Sequence, residues 1–122
     1  MKALIVDDSR AVRTLMKRML GEMGFEVSEA GDGRQALDLL QEIGPVDLAL
    51  VDWNMPEMDG LEFVKALRAE RGFSDVTVMM VSAESDMGNI ARALMVGADE
   101  YAIKPLTREM LEDKLQLLGV AS

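Results

Sequence analysis

The chain has 122 residues, a formal net charge of −9, 49% hydrophobic residues, and neither histidine nor cysteine. That length fits one domain, residues 1–122, with a real core and no room for a second. The composition excludes disorder, a disulfide framework, and thiol or imidazole chemistry, so any reaction here must run on carboxylates, hydroxyls and lysine.

Lys2 to Asp8 opens with K-A-L-I-V, the pattern of a strand buried on both faces, and ends on Asp7-Asp8. Ser9 is placed to cap a helix in which Val12, Leu15, Met16, Met19, Leu20 and Met23 share one face, with Gly24 ending it. Phe25 to Ala30 reads as a brief strand, charged at alternate positions and so near a sheet edge. The turn Gly31 to Gly33 leads to a helix over 34–43 that buries Ala36, Leu37 and Leu40. Val46 to Asp52 is a third buried strand, and Pro56 and Asp59-Gly60 prevent its continuation. A helix begins near Leu61, with Leu61, Val64, Ala66 and Leu67 on one face. A fourth strand spans 76–81 and runs into Ser82-Ala83-Glu84. A helix over 86–96 closes on Gly97. A fifth strand covers 100–104, and a last helix covers 107–118 after Pro105.

Strands alternating with helices in this way predict an α/β, doubly wound, five-stranded parallel sheet with helices on both faces. The 11 methionines read mostly as gap-filling core. No apolar run approaches the roughly 18 residues of a membrane span. Strand-like sequence begins at once, leaving no space for a signal peptide. A cytoplasmic protein without membrane insertion is therefore expected. The scattered lysines and arginines form no basic stripe, so DNA binding is not expected either.

Asp7-Asp8, Asp52, Ser82 and Lys104 each follow an apolar strand. Taken singly, each has an ordinary reading: the acids as turn or cap residues, Ser82 as a cap, Lys104 as a solvated lysine. Together they make a site. In a sheet ordered 2-1-3-4-5, an order taken from known folds rather than from these residues, strands 1 and 3 adjoin at a switch point. Their carboxylates then converge at the sheet edge where ligands bind. Three carboxylates at such range raise a pKa or demand a cation, and Mg²⁺, a hard ion that takes oxygen ligands, meets that demand. Such a site leaves one oxygen of Asp52 free to attack phosphorus, with Ser82 and Lys104 placed for the phosphoryl oxygens.

Four stretches, L-I-V-D-D-S-R, V-D-W-N-M-P-E-M-D-G, V-S-A-E and G-A-D-E-Y-A-I-K-P, together resemble a response-regulator receiver domain of the CheY type over essentially the whole chain. The resemblance implies a flavodoxin-like fold with Asp52 as phosphoacceptor. Mg²⁺ is then held by Asp7, Asp8, Asp52 and the backbone carbonyl of Asn54, while Ser82 and Lys104 contact the phosphoryl group. The family often has Thr where Ser82 stands, so one methyl is missing. The resemblance further implies a cis Lys104–Pro105 peptide and a switch role for Tyr101, whose ring is expected to rest half-buried with a wet hydroxyl and turn inward on phosphorylation. Asn54 and Glu84 are expected to tune dephosphorylation, and Ile90, Tyr101, Ile103 and Lys114 to form the output face.

The implied function is a stand-alone, chemotaxis-type regulator, not an enzyme beyond catalysing its own phosphorylation and dephosphorylation. Its partners would be a sensor histidine kinase or its phosphotransfer domain, and a protein target such as a flagellar motor switch protein. The alternative is a phosphorelay shuttle that passes its phosphoryl group to a histidine phosphotransfer protein. A haloacid-dehalogenase-like phosphatase needs a second acid two residues after the nucleophile, where this chain has Asn54. A transcription factor missing its output domain would leave a linker or basic helix, and neither is present.

Overall fold

The computed structural model describes residues 1–120. Strands β1 (Lys2–Val6), β2 (Glu26–Ala30), β3 (Leu48–Val51), β4 (Thr77–Ser82) and β5 (Glu100–Ile103) form one parallel sheet in the order β2-β1-β3-β4-β5. Helices α1 (Arg10–Glu22), α2 (Gly33–Ile43), α3 (Gly60–Ala69), α4 (Met87–Val96) and α5 (Arg108–Leu118) connect and flank the strands. The expected class and strand order are thus observed.

Alternation along the strands sorts the core into two layers, because successive side chains of a strand point to opposite faces. Leu4, Val6, Ala49, Val51, Val78 and Met80 pack with Ala36 and Leu40 of α2, Phe63, Val64 and Leu67 of α3, and Ala93 of α4. Ala3, Ile5, Leu48, Leu50, Met79 and Val81 pack instead with Met16, Met19 and Leu20 of α1 and Leu111 and Leu115 of α5. Both faces are covered, which is why the three central strands read as unbroken apolar runs. Each fully buried leucine or methionine stabilises the fold by about 1.5–3 kcal/mol relative to exposure.

Side chains fix where the helices begin. Ser9, Asp32, Asp59, Asp86 and Thr107 each accept a backbone N–H from the first turn, satisfying donors that have no partner inside the helix. Asp59 and Glu62 complete a reciprocal capping box. Asp86 and Thr107, expected as first helical residues, are therefore caps.

Three packing expectations are corrected. Leu15 is 54% exposed, because the contact of α1 with the sheet runs through Met16, Met19 and Leu20. Leu37, expected to be buried, is only partly so, packing against the rim of its core cluster. Phe63 is fully buried at the centre of the α3 contact, displacing Leu61 and Ala66 to partial burial. A 3-10 turn at Arg71–Phe73 was not anticipated. Among the described residues, no helix is long and apolar enough to cross a membrane.

Candidate functional site

Register builds the site. Val6 pairs with Val51 across β1 and β3, and the Asp52 N–H donates to the Val6 carbonyl at 2.8 Å. Asp7 and Asp52 therefore leave the sheet side by side. On the other flank Ser82 pairs with Ile103, and the Lys104 N–H donates to the Ser82 carbonyl at 2.9 Å. The Lys104–Pro105 peptide is cis, as the resemblance implied. All the strand-end residues singled out in the sequence thus stand on one edge of the sheet.

The Lys104 ammonium lies 2.9 Å from Asp7 Oδ2 and 3.5 Å from Asp52 Oδ2. Asp7 Oδ1 accepts the Ser9 N–H at 2.8 Å, and Asp52 Oδ1 accepts the Trp53 N–H at 2.9 Å. Asp7 and Asp52 are buried, whereas Asp8 is exposed. Burial pushes the Asp52 carboxyl upward, and the neighbouring charge of Asp7 adds to this, while Lys104 and the Trp53 N–H pull the other way. Burial would lower Lys104, but the hydrogen bond to Asp7 and the charges of Asp52 and Asp7 outweigh it and raise its pKa.

One carboxylate oxygen from each of Asp7, Asp8 and Asp52 lies within 4.8 Å of the others. These are hard oxygen donors with no nitrogen or sulfur among them, and a single ammonium offsets three carboxylates. That donor set suits Mg²⁺, which prefers a few carboxylates and several waters.

Two glycines hold the loop after β3 against this edge. A Cβ at Gly60 would fall 2.1 Å from the Asp52 carbonyl oxygen, so only glycine lets α3 start so close to Asp52. The Gly33 N–H donates to the Met58 carbonyl at 3.0 Å, and a Cβ there would lie 2.9 Å from that oxygen. Asn54 is exposed on the same loop.

The loop after β4 forms a relay. Ser82 is buried and its Oγ accepts the Glu84 N–H at 3.2 Å. The Glu84 carbonyl in turn accepts the Tyr101 hydroxyl at 2.7 Å, while its carboxylate accepts the Asp86 N–H at 3.1 Å. Tyr101 is 6% exposed and meets Trp53 edge-on, with ring centroids 6.5 Å apart. Burial pushes its phenol upward, with the charges of Glu84 and Asp52 adding and Ser82 opposing. The half-buried ring with a wet hydroxyl is therefore corrected: Tyr101 is already turned inward, because the Glu84 carbonyl offers its hydroxyl a partly buried partner.

The other residues expected on the output face divide. Ile103 is 42% exposed, Ile90 packs partly against the core, and Lys114 lies 3.5 Å from Glu100 and is not a lone cation. The sequence reading missed exposed apolar residues on α4. Met87 is 79%, Leu94 42% and Met95 86% exposed, and with Ala91 they recur at helical spacing on the side of α4 away from buried Ala93, with partly buried Ile90 at the margin. The signal was present: α4 carries apolar residues on both sides, which a helix with one covered face does not need.

The receiver-domain model of response regulators matches residues 3–116. A chemotaxis protein CheY homolog of Campylobacter jejuni subsp. jejuni is 42% identical over 124 residues, spanning 100% of this chain and 95% of that protein. Chemotaxis protein CheY1 of Helicobacter pylori is 37% identical over 119 residues, covering 97% and 96% of the two chains. The solved structure of chemotaxis response regulator CheY4 of Vibrio cholerae superposes with a TM-score of 0.89 at 36% identity, covering 96% of this chain and 97% of that one. With its sheet order, its strand-end acids and these likenesses in agreement, the chain belongs to the response-regulator receiver domain family and is of the CheY type.

Proposed function

We propose that this receiver is a chemotaxis-type response regulator, phosphorylated on Asp52 with Mg²⁺ bound and switching a protein–protein contact. The observation that carries the reading is the convergence of Asp7, Asp8 and Asp52 with the Lys104 ammonium bridging Asp7 and Asp52. Asp7, Asp8, Asp52 and the Asn54 backbone carbonyl are the cation's ligands. Mg²⁺, when bound, offsets the charge of the incoming phosphoryl group.

An oxygen of Asp52 forms the new P–O bond as the donor's bond to phosphorus breaks, and the donor leaves with that electron pair. Lys104 moves its charge from the carboxylates to a phosphoryl oxygen, and Ser82 donates its hydroxyl to another. The donor is the phosphohistidine of a sensor kinase or of its phosphotransfer domain. Beyond this self-catalysed gain and loss of phosphate the chain is a binding module rather than an enzyme.

Pulling Ser82 towards the phosphoryl group releases the Glu84 N–H that Ser82 now accepts. Glu84 also holds Tyr101, so the event at Asp52 reaches β5 and α4. The output face is then Ile90, Tyr101, Ile103 and Lys114, extended by the exposed side of α4, and its partner is a protein such as a flagellar motor switch component. A second reading is the phosphorelay shuttle, for which an apolar groove of Val12, Leu15, Met16, Met19, Pro105 and Leu106 beside Lys104 offers a docking site, as it would for the donor in the first reading. A histidine-bearing helix seated there would lie next to Asp52.

Incubation with acetyl phosphate and Mg²⁺ tests the core of this reading by intact mass. One phosphoryl adduct is expected in the wild type and none in Asp52→Asn. Equal adduct in that variant overturns the assignment.

A further inference from the structure

Arg13 on α1 makes no contact with the carboxylates of the site, yet it holds the backbone between two of them. Its Nη1 donates to the Asp7 carbonyl oxygen at 2.6 Å, and its Nε donates to Glu29 Oε1 at 2.9 Å on the edge strand β2. The side chain is only 17% exposed. Lys17 lies 3.4 Å from the other oxygen of Glu29, and the bond from Arg13 is the main cause holding that carboxyl below its usual value.

The carbonyl that Arg13 holds belongs to the peptide plane joining Asp7 to Asp8. Asp7 is fixed at its other polar atoms as well. Its N–H donates to the Ala30 carbonyl at 3.1 Å, Oδ1 takes the Ser9 N–H, and Oδ2 takes Lys104. Asp8 has none of this. Among the described residues its carboxylate makes no hydrogen bond and no ion pair, so the backbone that carries it is the restraint on where Asp8 stands. A planar peptide has no soft torsion of its own, and fixing its carbonyl restricts the residues on both sides.

We propose that Arg13 is a positioning residue for the divalent-cation site, aiming Asp8 by clamping the Asp7–Asp8 peptide against Glu29. This rests on the reading of Asp7, Asp8 and Asp52 as cation ligands. The guanidinium charge acts in the opposite direction, since a cation near the site repels Mg²⁺. Glu29 is shared between Arg13 at 2.9 Å and Lys17 at 3.4 Å and offsets only part of that charge, but Arg13 touches the peptide carbonyl and not the carboxylates, so the geometric role is the larger one. Loss of Arg13 therefore weakens binding rather than tightening it.

Trp53 is the one tryptophan, and its backbone N–H donates to Asp52 Oδ1, so its fluorescence is a reporter close to the site for Mg²⁺ titration. Arg13→Ala is expected to raise the Mg²⁺ dissociation constant roughly tenfold, the lower end for residues that orient metal ligands. Arg13→Lys should fall between, because a lysine reaches one partner at a time. Phosphorylation by acetyl phosphate should be slowed at limiting Mg²⁺ and recover as Mg²⁺ is raised, a split that general destabilisation does not produce. Glu29→Gln keeps Arg13 but loosens its far end, and should weaken Mg²⁺ binding by a smaller factor, which keeps the test open if Arg13→Ala fails to fold. Unchanged or tighter binding in Arg13→Ala and Glu29→Gln overturns the inference, as does a rate that stays low at saturating Mg²⁺. A wild type with no Mg²⁺ response overturns the reading of the site itself, and this inference with it.

Discussion

Asp52 is a carboxylate held away from water beside another carboxylate. Its pKa is raised, so the folded state keeps the Asp52 proton to higher pH than the unfolded chain does. Between the two values the folded state binds more protons, and stability from this group falls as pH rises through that window. The cation-free protein therefore carries a destabilising charge at neutral pH. Asp52→Asn should stabilise the cation-free protein by about 1 kcal/mol, raise its melting temperature by a few degrees, and flatten the pH dependence below neutrality. Mg²⁺ should reverse the order, stabilising the wild type by mass action and the variant less. Differential scanning calorimetry with and without Mg²⁺ measures both, and a variant that melts below the cation-free wild type contradicts the argument. On the proposed function, two other residues are expected to set how long the phosphate lasts. Asn54 is exposed and Glu84 partly buried, both polar and able to orient water. Decay of the phosphorylated form on a seconds-to-minutes scale is expected, slowed when either becomes a larger apolar residue. Phosphate release followed over time checks this, and equal decay in both variants removes them from the water's path.

At the scale of elements, the loop after β4 joins the site to α4. Tyr101 is linked to Ser82 through both backbone groups of Glu84, so Tyr101→Phe should cost about 0.5–1.5 kcal/mol for the lost hydroxyl bond and weaken this coupling. Amide chemical-shift mapping with the phosphoryl mimic beryllofluoride should show changes running from Asp52 through Ser82 and Glu84 to Tyr101 and α4. In Tyr101→Phe the changes at α4 should shrink while those at Asp52 persist. Changes confined to the Asp7, Asp52 and Lys104 loops would place the output elsewhere. The two sides of α4 also show where sequence reading stops. Ile90 and Ala93 face the core and Met87, Leu94 and Met95 face out, a distinction that apolar character alone does not make. The strand ends were readable for the opposite reason. Buried runs such as L-A-L-V must stop where a carboxylate begins, so Asp7 and Asp52 mark the sheet edge in the sequence itself. The inward Tyr101 was not readable, because its partner is a carbonyl 17 residues away whose direction depends on Ser82. Arg13 escaped notice because its role lies in a backbone oxygen, which carries no sequence signature.

Across the whole molecule, the site joins the first strand to the last. The strand order came from known folds, since periodicity identifies strands but does not rank their neighbours. Once that order is set, β1 and β3 supply the acids and β5 supplies the cation across β4. The ion pair between Lys104 and Asp7 spans 97 residues of sequence. On a ribosome, the acids emerge early and the lysine late, and a chain grows from its N-terminus while its first elements already seek partners. A nascent chain stopped before β5 has Asp7, Asp8, Asp52 and the strands that hold them, but lacks the Lys104 ammonium that pairs with Asp7 and Asp52. On the proposed function, the complete set of groups around Asp52 would therefore be assembled only once β5 and Lys104 have been made.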